Sequence, residues 1–593
     1  MSLPRCLSSS MCSKVVWSWF AVLLVSLMVG PPPARADEPR GQADLDAAIE
    51  AKLVANSLDD YATVIDLCRR AIDKGLAPES KDFADALYTG TLMDRAGMVV
   101  DAIFNAAVPD PQWPRMRSFA MRDLNEAVRR DPSLGEAHLM IARLEALPGG
   151  NRERARKEAE KATELLGDDK LSACRAQLVL GGLAADDKDR GAAYDKAVEL
   201  APRDVEARRT RGLFHLVNDR FAEARADLEV AIEEEPDEGA LYEAIGMAYL
   251  MEQKLEEAEK AFDKAVEINP QAPTALLQRA RVLALRGERP EAIADLDKAI
   301  ELKPDEAIPL ILRARILQQA GETEKALADI EKVLAKQPDH PAALELRGLI
   351  AAEKSDYTAA IRDFRRLLDR HDEDAVVHGQ LGMLHLAAKQ PRAAIAEFTK
   401  AIELDSEQFG SWRGRSDAQI SIGEHAKALT DLEKALELKP DDDGVLNNLA
   451  WLLATSPEDA LRNGKRAIEL ATKACEVTEW KEAHIISTLA AGYAETGDFE
   501  TAKKYSRQSV ELGSEVDDVK LQLEKELKSY EEGKPWREKQ TLEEAELAGL
   551  IVAVDAVASD DDDDDDDDDD KNDDKDDDKD DDAAAQRTPR RPF

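Results

Sequence analysis

The stretch GALYEAIGMAYLMEQKLEEAEKAFDKAVEINPQA, residues 239–272, decides the fold. Tyr242, Ile245, Gly246 and Tyr249 stand at i, i+3, i+4 and i+7, one face of a helix. Gln253 and Lys254 supply a turn. Leu255, Ala258, Phe262, Ala265 and Val266 mark a second amphipathic helix. Asn269-Pro270 ends it, because the residue before a proline avoids helical geometry.

This stretch is one beat of a 34-residue repeat. Pro202, Pro236, Pro270, Pro304 and Pro338 are each 34 residues apart, and the same step reaches Asp372, Ser406 and Pro440. Repeats therefore open at 171, 205, 239, 273, 307, 341, 375 and 409. From 205 to 375 their eighth residue is small: Gly212, Gly246, Ala280, Ala314, Gly348 and Gly382. Their twentieth is Ala224, Ala258, Ala292, Ala326, Ala360, Ala394 and Ala428. Small side chains at these two places let the helices of a pair approach closely.

The pattern resembles the tetratricopeptide repeat family over about 135–516, and the run Leu446 to Thr455 resembles the C-terminal end of many bacterial repeat proteins of this kind. The resemblance implies an all-α, right-handed solenoid of about thirteen helix pairs. It implies a non-enzymatic scaffold without a cofactor, holding a protein or peptide partner in a concave groove. In this family the first helix of each repeat lines that groove through its second, fifth, ninth, twelfth and thirteenth residues. Carried onto this chain, those positions include Leu213, Leu216, Met247, Leu250, Met251, Leu277, Leu285, Ile311, Leu349, Met383 and Leu386, with Arg281 and Arg315 between them.

The repeats vary toward both ends. Repeat 135–170 is two residues longer than the others, around Pro148-Gly149-Gly150, and repeat 171–204 has Arg190 where alanine is expected. After Pro440, Ala467, Ala471 and Ala474 come five residues late, which places an insertion around Ser456-Pro457-Glu458. A last repeat spans 483–516. A charged helix from about 516 to 530 suits an end cap with a polar outer face, and Gly533-Lys534-Pro535 ends it. Thr541 and Glu544 form a candidate capping box for a further helix reaching Ala558, so capping helices fill 517–558. Toward the N-terminus, 37–134 reads as degenerate helical repeats. Tyr61–Lys74 is a second helix and Ala84–Gly97 a first helix with Gly90 in the small position. Leu124, Ala127 and Pro132 complete that repeat, and an insertion fills 98–116.

Comparison of the repeats predicts an ion-pair ladder. The seventh residue is Arg211, Arg279, Arg313, Arg347 or Arg415 in five of the eight repeats, and in those repeats the twenty-third is Asp227, Asp295, Asp329, Asp363 or Asp431. The other three carry Gln177, Ile245 and Leu381 with Ala193, Ala261 and Glu397. A guanidinium can hold a carboxylate in a two-bond fork, so each pair is expected to join the two helices of its own repeat.

Neither end of the chain reads as repeat. Residues 1–36 have the form of a signal peptide: Arg5 and Lys14, an apolar run from Val15 to Val29, Pro31 to Pro33, and Ala34-Arg35-Ala36 before Asp37. At about 1.5 Å per residue, the run is short of a bilayer core of about 30 Å. The expectation is export to the periplasm or outside, with no membrane span left after cleavage. Asp560 to Asp570 is an unbroken run of aspartates, and 559–593 is expected to be a disordered acidic tail with at most weak affinity for divalent cations. It has neither the turn glycine nor the final glutamate of a calcium loop.

Composition narrows the function. The chain has 593 residues, 80 Lys+Arg against 122 Asp+Glu and a net charge of −42, which repels nucleic acid. Apolar residues make up 44%, enough for a core, and aromatics only 5%. Neither Gly464-Lys465 nor Gly533-Lys534 continues into a phosphate loop, and zinc-helix and Cys-x-x-Cys motifs are absent. His371, His378 and His385 recur every seven residues, about 10.5 Å along a helix, too far apart to share one metal ion. They read as packing residues, and Cys68, Cys174 and Cys475 as buried single thiols. Catalysis would have to sit in 37–134, where no constellation of reactive residues is visible. The alternatives to an interaction scaffold are therefore an enzyme or a non-catalytic subunit built on that region, or cation handling by the tail.

Overall fold

A computed structural model describes residues 40–105, 110–369, 373–513 and 517–538. The segments read as signal peptide, further capping helix and acidic tail lie outside these residues, as does His371. Among the described residues there are 27 α-helices and no strand. The chain divides after Pro304 into two compact units.

The first unit holds seven helix pairs. They are α1 (Gln42–Val54) with α2 (Leu58–Lys74), α3 (Pro78–Phe104) with α4 (Trp113–Arg130), and α5 (Gly135–Ala146) with α6 (Arg152–Leu165). Then come α7 (Lys170–Leu183) with α8 (Asp187–Leu200), α9 (Val205–Val217) with α10 (Phe221–Glu234), α11 (Gly239–Met251) with α12 (Leu255–Ile268), and α13 (Pro273–Arg286) with α14 (Arg289–Leu302).

The second unit holds six pairs and one more helix. The pairs are α15 (Ala307–Gln319) with α16 (Thr323–Lys336), α17 (Pro341–Glu353) with α18 (Tyr357–Leu368), α19 (Ala375–Ala387) with α20 (Pro391–Leu404), and α21 (Phe409–Ser421) with α22 (His425–Leu438). They end with α23 (Asp443–Thr455) and α24 (Gly464–Val477), then α25 (Ala483–Glu495) and α26 (Phe499–Leu512). Helix α27 (Asp517–Glu531) comes last. Within each unit every helix packs on its neighbours in sequence, the stacking of an α-solenoid.

One turn joins the two helices of nearly every repeat. The fifteenth residue has a left-handed backbone: Asp219, Gln253, Gly287, Gly321, Ser355, Lys389 and Gly423 all have φ between 58° and 84°. The amide of the next residue then donates back to the eleventh carbonyl, as in Lys254 N to Tyr249 O at 2.9 Å and Glu288 N to Leu283 O at 2.8 Å. This bond closes a Schellman cap and turns the chain into the second helix.

The close approach at the eighth residue follows a size rule in five repeats, while Gly212 faces Leu228. Where that residue is Gly246, Gly348 or Gly382, the twenty-fourth is Phe262, Phe364 or Phe398, and its ring lies 2.6–2.8 Å from where a Cβ would stand. Where it is Ala280 or Ala314, the facing residue is the smaller Leu296 or Ile330, fully buried. A phenyl ring fills the space a missing methyl group leaves, so the interface keeps its density.

The N-terminal repeats correct one expectation. Gly90 is exposed and a Cβ there would meet nothing. The small residue of this pair is Ala96, fully buried, with Ala120 opposite. The insertion placed at 98–116 is largely helix, because α3 continues to Phe104 and α4 starts at Trp113. The five-residue insertion after α23 forms a 3-10 turn, Asp459–Leu461, held by Arg462 donating to the Ser456 carbonyl at 2.8 Å. Helix α27 buries Leu523, Glu526 and Tyr530 and leaves Leu521 exposed.

Candidate docking face and the ion-pair ladder

The first helices present their ninth and thirteenth residues outward. In the first unit Leu213, Met251 and Leu285 are exposed, and Leu216, Met247, Leu250 and Arg281 are half-buried. In the second unit Leu349, Met383 and Arg315 are exposed and Leu386 is half-buried. Two of the expected groove residues are not on the surface: Leu277 and Ile311 are buried. Both are fifth residues of their helices, and where that place carries Glu243 or Glu345 the side chain stays half-exposed. An aliphatic side chain there turns into the helix pair, whereas a charged one keeps its head in water.

The second unit also holds an open apolar cavity of about 750 Å³ between α17, α19 and α21. Its lining includes Leu349, Val376, Gly379, Met383, Ala387 and Gly410. Val376, the second residue of its helix, and Met383 are both more than half exposed, at 59% and 55%. Apolar area of this kind, open to water, is the chemistry of a docking groove.

The ladder residues meet in pairs. Arg211, Arg279, Arg313, Arg347 and Arg415 each donate through Nε and Nη2 to both oxygens of Asp227, Asp295, Asp329, Asp363 and Asp431, at 2.6–2.8 Å. All five aspartates are buried. The arginines also reach back to the preceding repeat. Arg211 Nη1 donates to Asp195 at 2.9 Å, Arg279 Nη1 to Asp263 at 2.8 Å and Arg415 Nη1 to Thr399 at 3.0 Å. One guanidinium thereby pins its own two helices and the second helix of the repeat before.

A further pair of the same form joins Arg95 to Asp123 at 2.7 and 2.8 Å. Its residues are 28 apart rather than 16, which hides it from comparison at fixed spacing. The legible signal is local: Arg95 precedes Ala96, and Asp123 comes three after Ala120, as in the regular repeats. Two repeats without the arginine use another pair. His378 Nδ1 lies 2.7 Å from Glu397 Oε2, and His138 pairs with Glu158; each glutamate comes three after its packing alanine, Ala394 or Ala155.

The tetratricopeptide repeat family model matches residues 183–240, 243–307, 311–375 and 380–443. These four segments are tetratricopeptide repeats. No curated protein matches it. Among solved structures it is similar to a tetratricopeptide repeat protein from Parabacteroides merdae, at 19% identity over 41% of this chain and 97% of that one, with a TM-score of 0.34. It is also similar to the APC/C hetero-tetramer Cut9–Hcn1, at 16% over 75% and 97% with a TM-score of 0.34. A third is PilW, a type IV pilus biogenesis factor, at 17% over 34% and 94% with a TM-score of 0.33.

Elsewhere in this repeat protein the titratable groups serve packing. His378 and His385 are buried, and His385 Nδ1 lies 2.6 Å from Gln390 Oε1. Burial holds His385 below the ordinary histidine range. Burial also pushes the thiols of Cys68 and Cys475 up to about 11 and that of Cys174 to about 12, so these unpaired cysteines stay protonated. Among the described residues no three His, Cys, Asp or Glu side chains gather as a metal site. No described helix is long and apolar enough to cross a membrane.

The ladder carries a pH signature. Burial raises the Asp227 carboxyl, but the fork from Arg211 and a further bond from Arg208 outweigh it and hold the group below the ordinary carboxylate range. A carboxyl lowered in the folded state adds stability above its unfolded pKa of about 3.9 and loses it as pH falls through the folded value. Wild type should therefore exceed Asp227→Asn in stability most at neutral pH. The difference should shrink steadily below about pH 4, as measured by urea unfolding at each pH.

Proposed function

We propose that this chain is an exported scaffold that holds a protein segment on the apolar face of its first helices, without chemistry of its own. The observation that carries the reading is the exposed apolar cavity between α17, α19 and α21, flanked by Leu349, Val376 and Met383. The tetratricopeptide repeat family supports a protein partner, because such arrays present one helix of each pair to ligands. The ladder supports it differently: its arginines are engaged by the scaffold, so docking falls to the apolar residues with Arg281 and Arg315.

The reading is tested by charge placed on the face. Leu349→Glu with Met383→Glu should weaken capture of the native partner at least about tenfold, and Met247→Glu with Met251→Glu should do so if the first unit shares the ligand. Partner binding unchanged in both variants rejects this face. Export is tested separately: the mature protein should begin near Asp37, and N-terminal sequencing that still finds Val15 to Val29 rejects cleavage.

A further inference from the structure

Asp417 is a charge that the scaffold leaves short of partners. Among the described residues, the buried aspartates Asp123, Asp227, Asp295, Asp329, Asp363 and Asp431 each accept an arginine fork. Asp417 has a single bond, from Asn448 Nδ2 to its Oδ1 at 2.9 Å. Burial raises its carboxyl above the ordinary range, and the charge of Arg413 and the Asn448 bond offset that only in part. Arg413 is turned elsewhere. It lies across Gly444 of α23, where a Cβ would stand 2.7 Å from its Nη2, and its Nη1 is 3.5 Å from Asp442.

A second, independent observation lies on α23. Asn448 Oδ1 accepts from Asn447 Nδ2 at 3.2 Å, so two amides form a chain that ends on Asp417. A carboxylate can only accept, which fixes the direction of both amides. The other end of the chain is Asn447 Oδ1, on a side chain 9% exposed and without a donor among the described residues. Asp417 Oδ2 and Asn447 Oδ1 both lack a donor, and the carboxylate also lacks a positive charge.

The place of Asp417 points to what supplies them. It is the ninth residue of α21, and ninth residues face outward in the other repeats. In the second unit these residues run Arg315, Leu349, Met383, Asp417 and Trp451. Leu349 and Met383 line the apolar cavity, and Gly410 brings α21 into the same wall. Beyond Asp417 the chain closes its own groove. After α27, Gly533 turns the backbone with φ 70°, and residues 535–538 form a strap over α25 and α23. The Glu538 amide donates to the Thr455 carbonyl at 2.8 Å, Trp451 Nε1 donates to the Glu538 carboxylate, and Arg537 pairs with Glu495 at 2.7 Å. Asp417 is therefore the last ninth residue before the strap, with the apolar cavity on its other side.

We infer that Asp417 holds the Lys or Arg side chain of a docked protein segment whose neighbouring apolar side chain fills the cavity between α17, α19 and α21. This rests on the docking reading above and adds the partner's chemistry to it. Helix α19 packs on α21, so Met383 and Asp417 lie about 10 Å apart at helix-packing distances. An extended chain rises about 3.3 Å per residue, which puts the cation within about three residues of the apolar anchor. The net charge of −42 favours encounter with such a basic segment.

The test probes the full-length chain on an array of random peptides of about twelve residues, in about 0.15 M salt to screen unspecific attraction. Wild type is compared with Asp417→Asn, Met383→Glu and Glu301→Gln. Glu301 is exposed on a second helix, so its variant removes the same charge outside the groove. Peptides that wild type retains and Met383→Glu loses should be enriched in Lys or Arg within about three residues of Leu, Ile, Met or Phe. Asp417→Asn should retain these at least about tenfold more weakly, and Glu301→Gln should match wild type. Equal retention by Asp417→Asn and wild type overturns the inference, as does a groove-dependent set without Lys or Arg enrichment. A set in which no peptide depends on Met383 rejects the docking reading itself, so the two failures are distinguishable. A second measurement needs no ligand. A carboxyl raised in the folded state subtracts stability at neutral pH, so Asp417→Asn should unfold at the same or a higher urea concentration than wild type. A lower midpoint assigns the carboxylate to the scaffold and overturns the inference.

Discussion

Replacing Asp295 by alanine should cost the first unit about 3 kcal/mol, while replacing Arg279 and Asp295 together by Met and Leu should cost under about 1. The asymmetry comes from the group left behind. Asp295 is 7% exposed, and its removal leaves the Nε and Nη2 of Arg279 facing a buried gap. Arg279 retains Asp263, whose side chain is 54% exposed, and its own side chain is 22% exposed, so water relieves part of the loss. That places the expected cost at the lower end of the range for broken buried pairs. With both partners replaced, no charge remains to be desolvated, and two apolar side chains fill the space. Urea unfolding read by helical signal, with hydrogen exchange to localise the loss, measures both variants; an array of repeats need not unfold in one step. Equal costs for the single and double variants would show that the fork contributes contact area rather than charge pairing.

The second large effect comes from the size rule. Phe262→Ala should cost about 3–5 kcal/mol, because the ring is fully buried and the glycine opposite cannot expand into the void. Gly246→Ala should cost about 1–3 kcal/mol, since its new Cβ would stand 2.8 Å from the Phe262 ring. The pair Gly246→Ala with Phe262→Leu reproduces the Ala280–Leu296 arrangement two helices later. It should therefore cost less than the sum of its two single variants, a coupling that a double-mutant cycle measures. Strict additivity would mean that the two residues do not share one packing space.

Much of this architecture is legible in the sequence because its causes repeat. The openings at 205, 239, 273, 307, 341, 375 and 409 are each the first residue of a helix. A proline stop, a small eighth residue and an alanine at the twentieth are local requirements, and their recurrence fixes the phase. The left-handed fifteenth residue is less visible, because Asp219, Gln253, Ser355 and Lys389 meet it without glycine; the Schellman bond and helix packing hold them there. Arg95 and Asp123 escape because α3 runs on for extra turns, which changes the spacing without changing the contact. Gly90 misleads for the same reason: counting from the wrong end of a 27-residue helix lands on its exposed face.

The docking face is harder to read than the scaffold. Exposure depends on which way a side chain leaves a helix and on how long it is, not on its apolarity. Leu277 and Leu285 are both leucines of α13, yet one is 8% and the other 65% exposed. Val376 and Gly379 belong to the cavity because a small residue at 379 and at Gly410 leaves room, a consequence of packing that no single repeat reveals. The strap at 535–538 carries no repeat signal at all. Trp536 and Arg537 find their places through Tyr530, Ala454 and Glu495, contacts between segments distant in sequence.

The most direct test of partner docking on the first helices is photocrosslinking in the native cell. A photoreactive residue is placed in turn at Leu213, Leu349 and Met383 on the first helices and at Glu301 and Lys332 on the exposed face of the second helices. Docking on the first helices predicts adducts with the same partner protein from Leu349 and Met383, with Leu213 joining them if the first unit shares the ligand, and none from Glu301 or Lys332. Adducts from the second-helix positions with none from Leu213, Leu349 and Met383 would contradict it.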